Sequence, residues 1–75
     1  MQRIYRHILK YNKKIEWIGG NNKYRLIGYY NSGSRAVSIE YKGNRLHGRY
    51  QGWFEDGTKY WDELWDDGKN LGRII

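Results

Sequence analysis

A period of 24 residues constrains this chain more than any other feature. Sliding the sequence by that interval aligns Arg25, Arg49 and Arg73, and pairs Gly28 with Gly52, Gly33 with Gly57 and Gly48 with Gly72. Tyr29-Tyr30 then falls over Trp53-Phe54, Tyr41 over Trp65, and Ile15-Glu16-Trp17 over Ile39-Glu40-Tyr41. A repeat this short is one supersecondary unit, and stacked units share a continuous core. We divide a single domain, 1–75, into a degenerate first repeat over 1–24 and clearer repeats over 25–48 and 49–72.

Each unit reads as a β-hairpin. Tyr30-Asn31-Ser32-Gly33 and Phe54-Glu55-Asp56-Gly57 are tight-turn sequences, with glycine where the backbone needs a positive φ. Lys42-Gly43-Asn44 and Asp66-Asp67-Gly68-Lys69 link the units, and Tyr11-Asn12-Lys13 reads as a weaker turn of the same kind. Between turns the residues alternate with the strand period of two. Arg35, Val37, Ile39 and Tyr41 share one face, and Lys59, Trp61, Glu63 and Trp65 take the equivalent one. Leu46, Gly48, Tyr50, Gly52 and Phe54 share another, where each glycine leaves room for a neighbouring ring. Residues 3–10 fit either a helix or a strand, and the aromatic and β-branched content favours a strand.

The fold class expected is therefore all-β, a short stack of antiparallel hairpins, with a small SH3-like or OB-like barrel as the alternative. Composition agrees. Among 75 residues there are eight Tyr and four Trp, and large rings stabilise a thin sheet with few residues. A core this small is marginal, so a homodimer or a bound partner is the expected extra source of stability.

The run Gly43-Asn44-Arg45-Leu46-His47-Gly48-Arg49-Tyr50-Gln51-Gly52-Trp53-Phe54-Glu55-Asp56-Gly57 resembles a MORN-type repeat, closest to the bacterial variant form. Trp65–Gly72 repeats its opening and Arg25–Gly33 its middle, so the likeness covers about two thirds of the chain. The resemblance implies stacked hairpins without catalysis, used for interaction and assembly, with an antitoxin-like role for the bacterial variant. Lipid binding has also been proposed for such repeats. This chain carries fewer copies than such arrays usually do.

Chemistry of other kinds finds little footing. With no Cys and only His7 and His47, neither a thiolate nor an imidazole metal site is expected, and no cofactor is. Glu55-Asp56, Asp62-Glu63 and Asp66-Asp67 are sequence neighbours, which a strand sends to opposite faces. Ser32, Ser34 and Ser38 lack a nucleophile setting, and Gly19-Gly20-Asn21-Asn22 is not a phosphate loop. We expect no enzyme. Nor does any stretch read as a membrane span or signal segment, so a cytoplasmic protein is expected.

Two binding readings remain. Trp53, Trp61 and Trp65, with Arg49, Lys59 and Glu63 around them, have the composition of a protein-binding hot spot. They are expected on the side away from the glycine–aromatic packing face, or at its edge. An inhibitor or antitoxin-like protein occupying a larger target follows, and the Asn-, Ile-, Lys- and Tyr-rich composition would suit a phage or mobile element. The alternative is nucleic acid, or another anionic surface. All of the net charge of +6 sits in the first third, where Arg3, Arg6, Lys10, Lys13, Lys14, Lys23 and Arg25 face Glu16 alone.

Overall fold

A computed structural model describes residues 10–20 and 22–74. Six strands follow one another: β1 (Asn12–Gly19), β2 (Lys23–Tyr29), β3 (Arg35–Lys42), β4 (Arg45–Trp53), β5 (Lys59–Asp66) and β6 (Lys69–Arg73). All pair antiparallel in the order β1-β2-β3-β4-β5-β6. Among the described residues the architecture is all-β, as expected, and the sheet is open, with β1 and β6 as its outermost strands. Barrel closure is therefore not the form this sheet takes.

The turns account for the hairpins. Gly33 N–H donates to the Tyr30 carbonyl and Gly57 N–H to that of Phe54, both at 2.9 Å. Tyr30 N–H and Phe54 N–H reach the Ser34 and Thr58 carbonyls at 2.9 and 2.8 Å. Gly33 and Gly57 hold φ of 95° and 94°, a left-handed conformation open to glycine without a Cβ penalty. Two loops 24 residues apart thus close with the same bonds.

Leu26, Val37, Ile39, Tyr41, Leu46 and Tyr50 form the core on one face of the sheet, flanked by Tyr11, Tyr24, Trp61 and Trp65. Register explains the grouping: Leu26, Ile39, Tyr50 and Glu63 are direct cross-strand neighbours, as are Tyr24, Tyr41 and Leu46. Tyr24 stacks on Tyr41 at 5.3 Å between centroids, and Trp17 meets Tyr24 edge-on at 5.5 Å.

Several local expectations change. Asn12 and Lys13 belong to β1, which pairs with β2, so they are strand and not a turn. The turn that closes this hairpin contains Gly20, whose φ is 63°. Of the segment 3–10 only Lys10 is described, and it lies in a turn. Register shifts at Gly28/Tyr29 and Gly52/Trp53 add one residue to the opposing strand. Such a bulge reverses the facing of the residues beyond it. Arg35 and Lys59, on the strands that carry the extra residue, therefore leave the faces that unbroken alternation assigns them. Phe54 is 53% exposed.

Candidate functional site

The bulge opposite Gly52 builds a concavity. It places Tyr60 and Trp61 together over a residue with no side chain. A Cβ on Gly52 would stand 3.2 Å from Tyr60 Cζ and 3.3 Å from Trp61 Cβ, tighter than an ordinary contact, so the two rings sit closer to the backbone than a side chain would comfortably allow. Tyr50, Gly52, Tyr60 and Trp61 line a cleft of about 260 Å³. Phe54 stacks on Tyr60 with centroids 4.5 Å apart, and Trp61 tilts against Tyr50 at 6.2 Å. The Arg73 guanidinium lies over the Trp61 ring, 4.1 Å from its centroid.

The polar groups of the cleft are few. Burial, then the nearby Glu63, push the Tyr50 phenol up to about 12, so it is a neutral hydroxyl at physiological pH. Trp61 Nε1 is buried and donates to no acceptor among the described residues. Trp65 differs: its Nε1 donates to Glu63 Oε1 at 3.1 Å.

The six residues expected to form one protein-binding surface divide between two faces. Trp61, Glu63 and Trp65 stand on the core face, Trp61 and Trp65 packed against the core cluster. These two tryptophans are thus on the glycine–aromatic packing face and not opposite it: Trp61 is the cross-strand neighbour of Gly52, and Trp65 packs against the core cluster. Arg49 and Lys59 stand on the other face, joined through Asp62. Lys59 Nζ lies 5.9 Å from the Trp53 ring centroid, which places Trp53 with them. Sequence reasoning passed over Tyr60, Gly52 and Arg73 as site residues. The alignment of Gly28 with Gly52 and of Arg49 with Arg73 was the available signal.

The opposite face carries a line of alternating charge across five strands. Arg25 bonds Glu16 through Nη1 and Glu40 Oε2 through Nη2 and Nε at 2.7 and 3.1 Å. Glu40 Oε1 accepts the Arg49 backbone N–H at 2.8 Å. Arg49 grips both oxygens of Asp62, and Lys59 Nζ reaches Asp62 Oδ2 at 3.1 Å. The Arg49 hydrogen bonds outweigh the desolvation of Asp62 and hold its carboxyl at about 2. The hydrogen bond to Glu40 likewise raises the Arg25 guanidinium above its ordinary value, against a smaller desolvation effect.

Of the basic residues in the first third, Arg3 and Arg6 lie outside the described residues. Arg25 is committed to two carboxylates. Lys13 Nζ donates to the Tyr11 carbonyl at 2.9 Å, and Lys10 lies 5.3 Å over the Tyr11 ring. Lys14 and Lys23 are exposed. Lys23 faces Lys42, which in turn faces Arg45 across the next turn. Among the described residues no group of His, Cys, Asp and Glu is placed to hold a metal ion, and no helix is long and apolar enough to cross a membrane. Comparison with known protein families, curated proteins and solved structures found no match.

Proposed function

We propose that this chain is a non-enzymatic protein-binding module of MORN-variant type that occupies a surface of a larger protein, in the manner of an inhibitor or antitoxin. The cleft between β4 and β5 is its recognition site. One observation carries the reading: the buried, unpartnered Trp61 N–H in an aromatic cleft. A buried donor left unsatisfied costs about 1–3 kcal/mol, and a partner's carbonyl entering the cleft would recover it. Trp, Tyr and Arg converge there, the residue types that dominate binding hot spots. The test compares proteins retained from host lysate by the wild-type chain and by Trp61→Phe, which keeps a ring and removes the donor. A specific protein retained at high salt with nuclease present, and lost with Trp61→Phe, supports the cleft. Equal retention by both would remove it.

A second reading rests on the row Lys23–Lys42–Arg45. Like charges directly opposite one another destabilise a sheet, and no carboxylate lies within ion-pair reach of Lys23 or Lys42 among the described residues. A phosphodiester backbone would relieve that repulsion, with Trp17, 69% exposed, available for stacking. Retained material that disappears with salt or nuclease would favour this reading over the first.

A further inference from the structure

The cleft beside Gly52 presents hydrogen-bond donors and no uncommitted carboxylate. Trp61 Nε1 is buried and has no acceptor among the described residues. The Arg73 guanidinium carries five N–H donors and lies over the Trp61 ring, 4.1 Å from its centroid, with no carboxylate paired to it among the described residues. Its direct cross-strand neighbour is Glu63, but that carboxylate is buried and accepts Trp65 Nε1–H at 3.1 Å. The walls are aromatic: Tyr50, Tyr60 and Trp61 line the cleft, and Phe54, 53% exposed, stacks on Tyr60 and extends the ring surface. At about 260 Å³ the space is smaller than the roughly 300–1,000 Å³ of cofactor and drug-sized sites, and it suits one or two side chains.

We infer that the cleft recognises a proline-rich segment of its protein partner, held as a polyproline II helix. This names the kind of partner for the protein-binding reading of the cleft and rests on that reading. The hydrogen-bond inventory selects the occupant. An α-helix commits its carbonyls to its own N–H groups. An extended peptide of ordinary residues brings one N–H for every carbonyl, and a cleft of donors leaves those N–H groups unpaired. Proline brings the carbonyl alone. A polyproline II segment makes no internal hydrogen bonds, so its carbonyls are all available as acceptors, and aromatic-lined grooves are what such segments dock on. Charge agrees, since carbonyl oxygens carry the partial negative charge that complements the Trp61 N–H and the Arg73 guanidinium. The ordering cost is small, because the proline ring already fixes the conformation that binds.

The parts have distinct places. A pyrrolidine ring seats among Tyr50, Tyr60 and Trp61, and a carbonyl of the segment accepts the Trp61 N–H. Because Nε1 lies below the surface, binding includes a side-chain adjustment. Arg73, exposed on the last residue of β6, covers this indole and turns from its face to a neighbouring carbonyl.

The test titrates the isotope-labelled chain with two capped hexapeptides, hexaproline and an alternating leucine–serine peptide. The indole N–H resonance of Trp61, identified by its loss in Trp61→Phe, is followed by NMR. Hexaproline is expected to shift it saturably and to bind roughly fivefold or more tightly than the leucine–serine peptide. Trp61→Phe keeps a ring and removes the donor, and is expected to weaken hexaproline binding roughly fivefold, read from the Gly52 and Tyr60 amides. The comparison of the two peptides uses the wild type alone and does not depend on how the variant folds. No saturable shift with hexaproline, or equal affinity for the two peptides, would overturn the inference. So would a folded Trp61→Phe chain that binds hexaproline as well as the wild type does. Failure here differs from failure of the cleft: if hexaproline does not bind while Trp61→Phe still loses a host protein, the cleft keeps its role and its occupant is not proline-rich.

Discussion

Arg49 reaches diagonally across the β4–β5 ladder to Asp62, its Nε 2.8 Å from Oδ1, although its direct cross-strand neighbour is Leu64. The diagonal buries the carboxylate almost completely, with 2% of its side chain exposed. Charge-assisted, two-pronged bonds of this kind are what make a buried carboxylate tolerable.

Asp62 therefore ties stability to pH. Its folded-state value of about 2 lies below the ordinary carboxylate value of 3.8. The folded protein binds its proton less readily than the unfolded chain does. The stabilisation is fully present above pH ~4 and is lost as pH falls toward ~2. Thermal melts from neutral pH down to that range are expected to show this loss in the wild type. Asp62→Asn is expected to be less stable at neutral pH by on the order of 2 kcal/mol and to have a flatter acid limb.

Gly48 is a position where a methyl group cannot be accommodated. Its φ is 118°, and an added Cβ would collide with the Glu40 carboxylate, which bonds the neighbouring Arg49 N–H. Gly48→Ala is expected to cost about 2–4 kcal/mol, combining backbone strain with displacement of that carboxylate. Gly57→Ala meets strain alone, since nothing lies near its Cβ position, and is expected to cost about 1–2 kcal/mol. Denaturant unfolding of both variants gives the comparison.

Arg25 and Glu40 are expected to behave as a coupled pair. Arg25→Met leaves Glu40, 19% exposed, without its guanidinium and is expected to cost about 1–3 kcal/mol. Glu40→Gln in the same background is expected to recover part of that loss. A double-mutant cycle in urea would read a coupling of at least ~0.5 kcal/mol, and simple additivity would contradict it.

Arg73→Ala removes the cation above Trp61. The expected cost is about 0.5–1 kcal/mol, accompanied by a change in tryptophan fluorescence as the ring gains solvent. Unchanged emission and stability would mean that the guanidinium does not dwell there in solution.

The strands were legible because valine, isoleucine, leucine and tyrosine alternate between glycine-bearing turns, and Gly33 and Gly57 adopt the conformation their positions require. Burial of Val37, Ile39, Tyr41 and Tyr50 follows from the same alternation. Bulges were not legible. One inserted residue sends Lys59 to Asp62 and the Tyr60 ring against Gly52, so the supposed tryptophan surface separates onto two faces. The partners of Arg25 and Arg49 were equally hidden, because they depend on register and not on spacing along the chain. Gly48 shows the difference: its empty side receives the Glu40 carboxylate and not the ring that the glycine–aromatic pattern suggested.

The uninterrupted strand order has a kinetic meaning. Among the described residues each strand pairs with its neighbours in sequence, so none of these hairpins waits for a distant segment before it can close. Folding can begin at either of the matched turns and spread outward one strand at a time. Unfolding runs the other way, from the two edges inward. Amide protons on β3 and β4 are the last that such a meander would release to solvent.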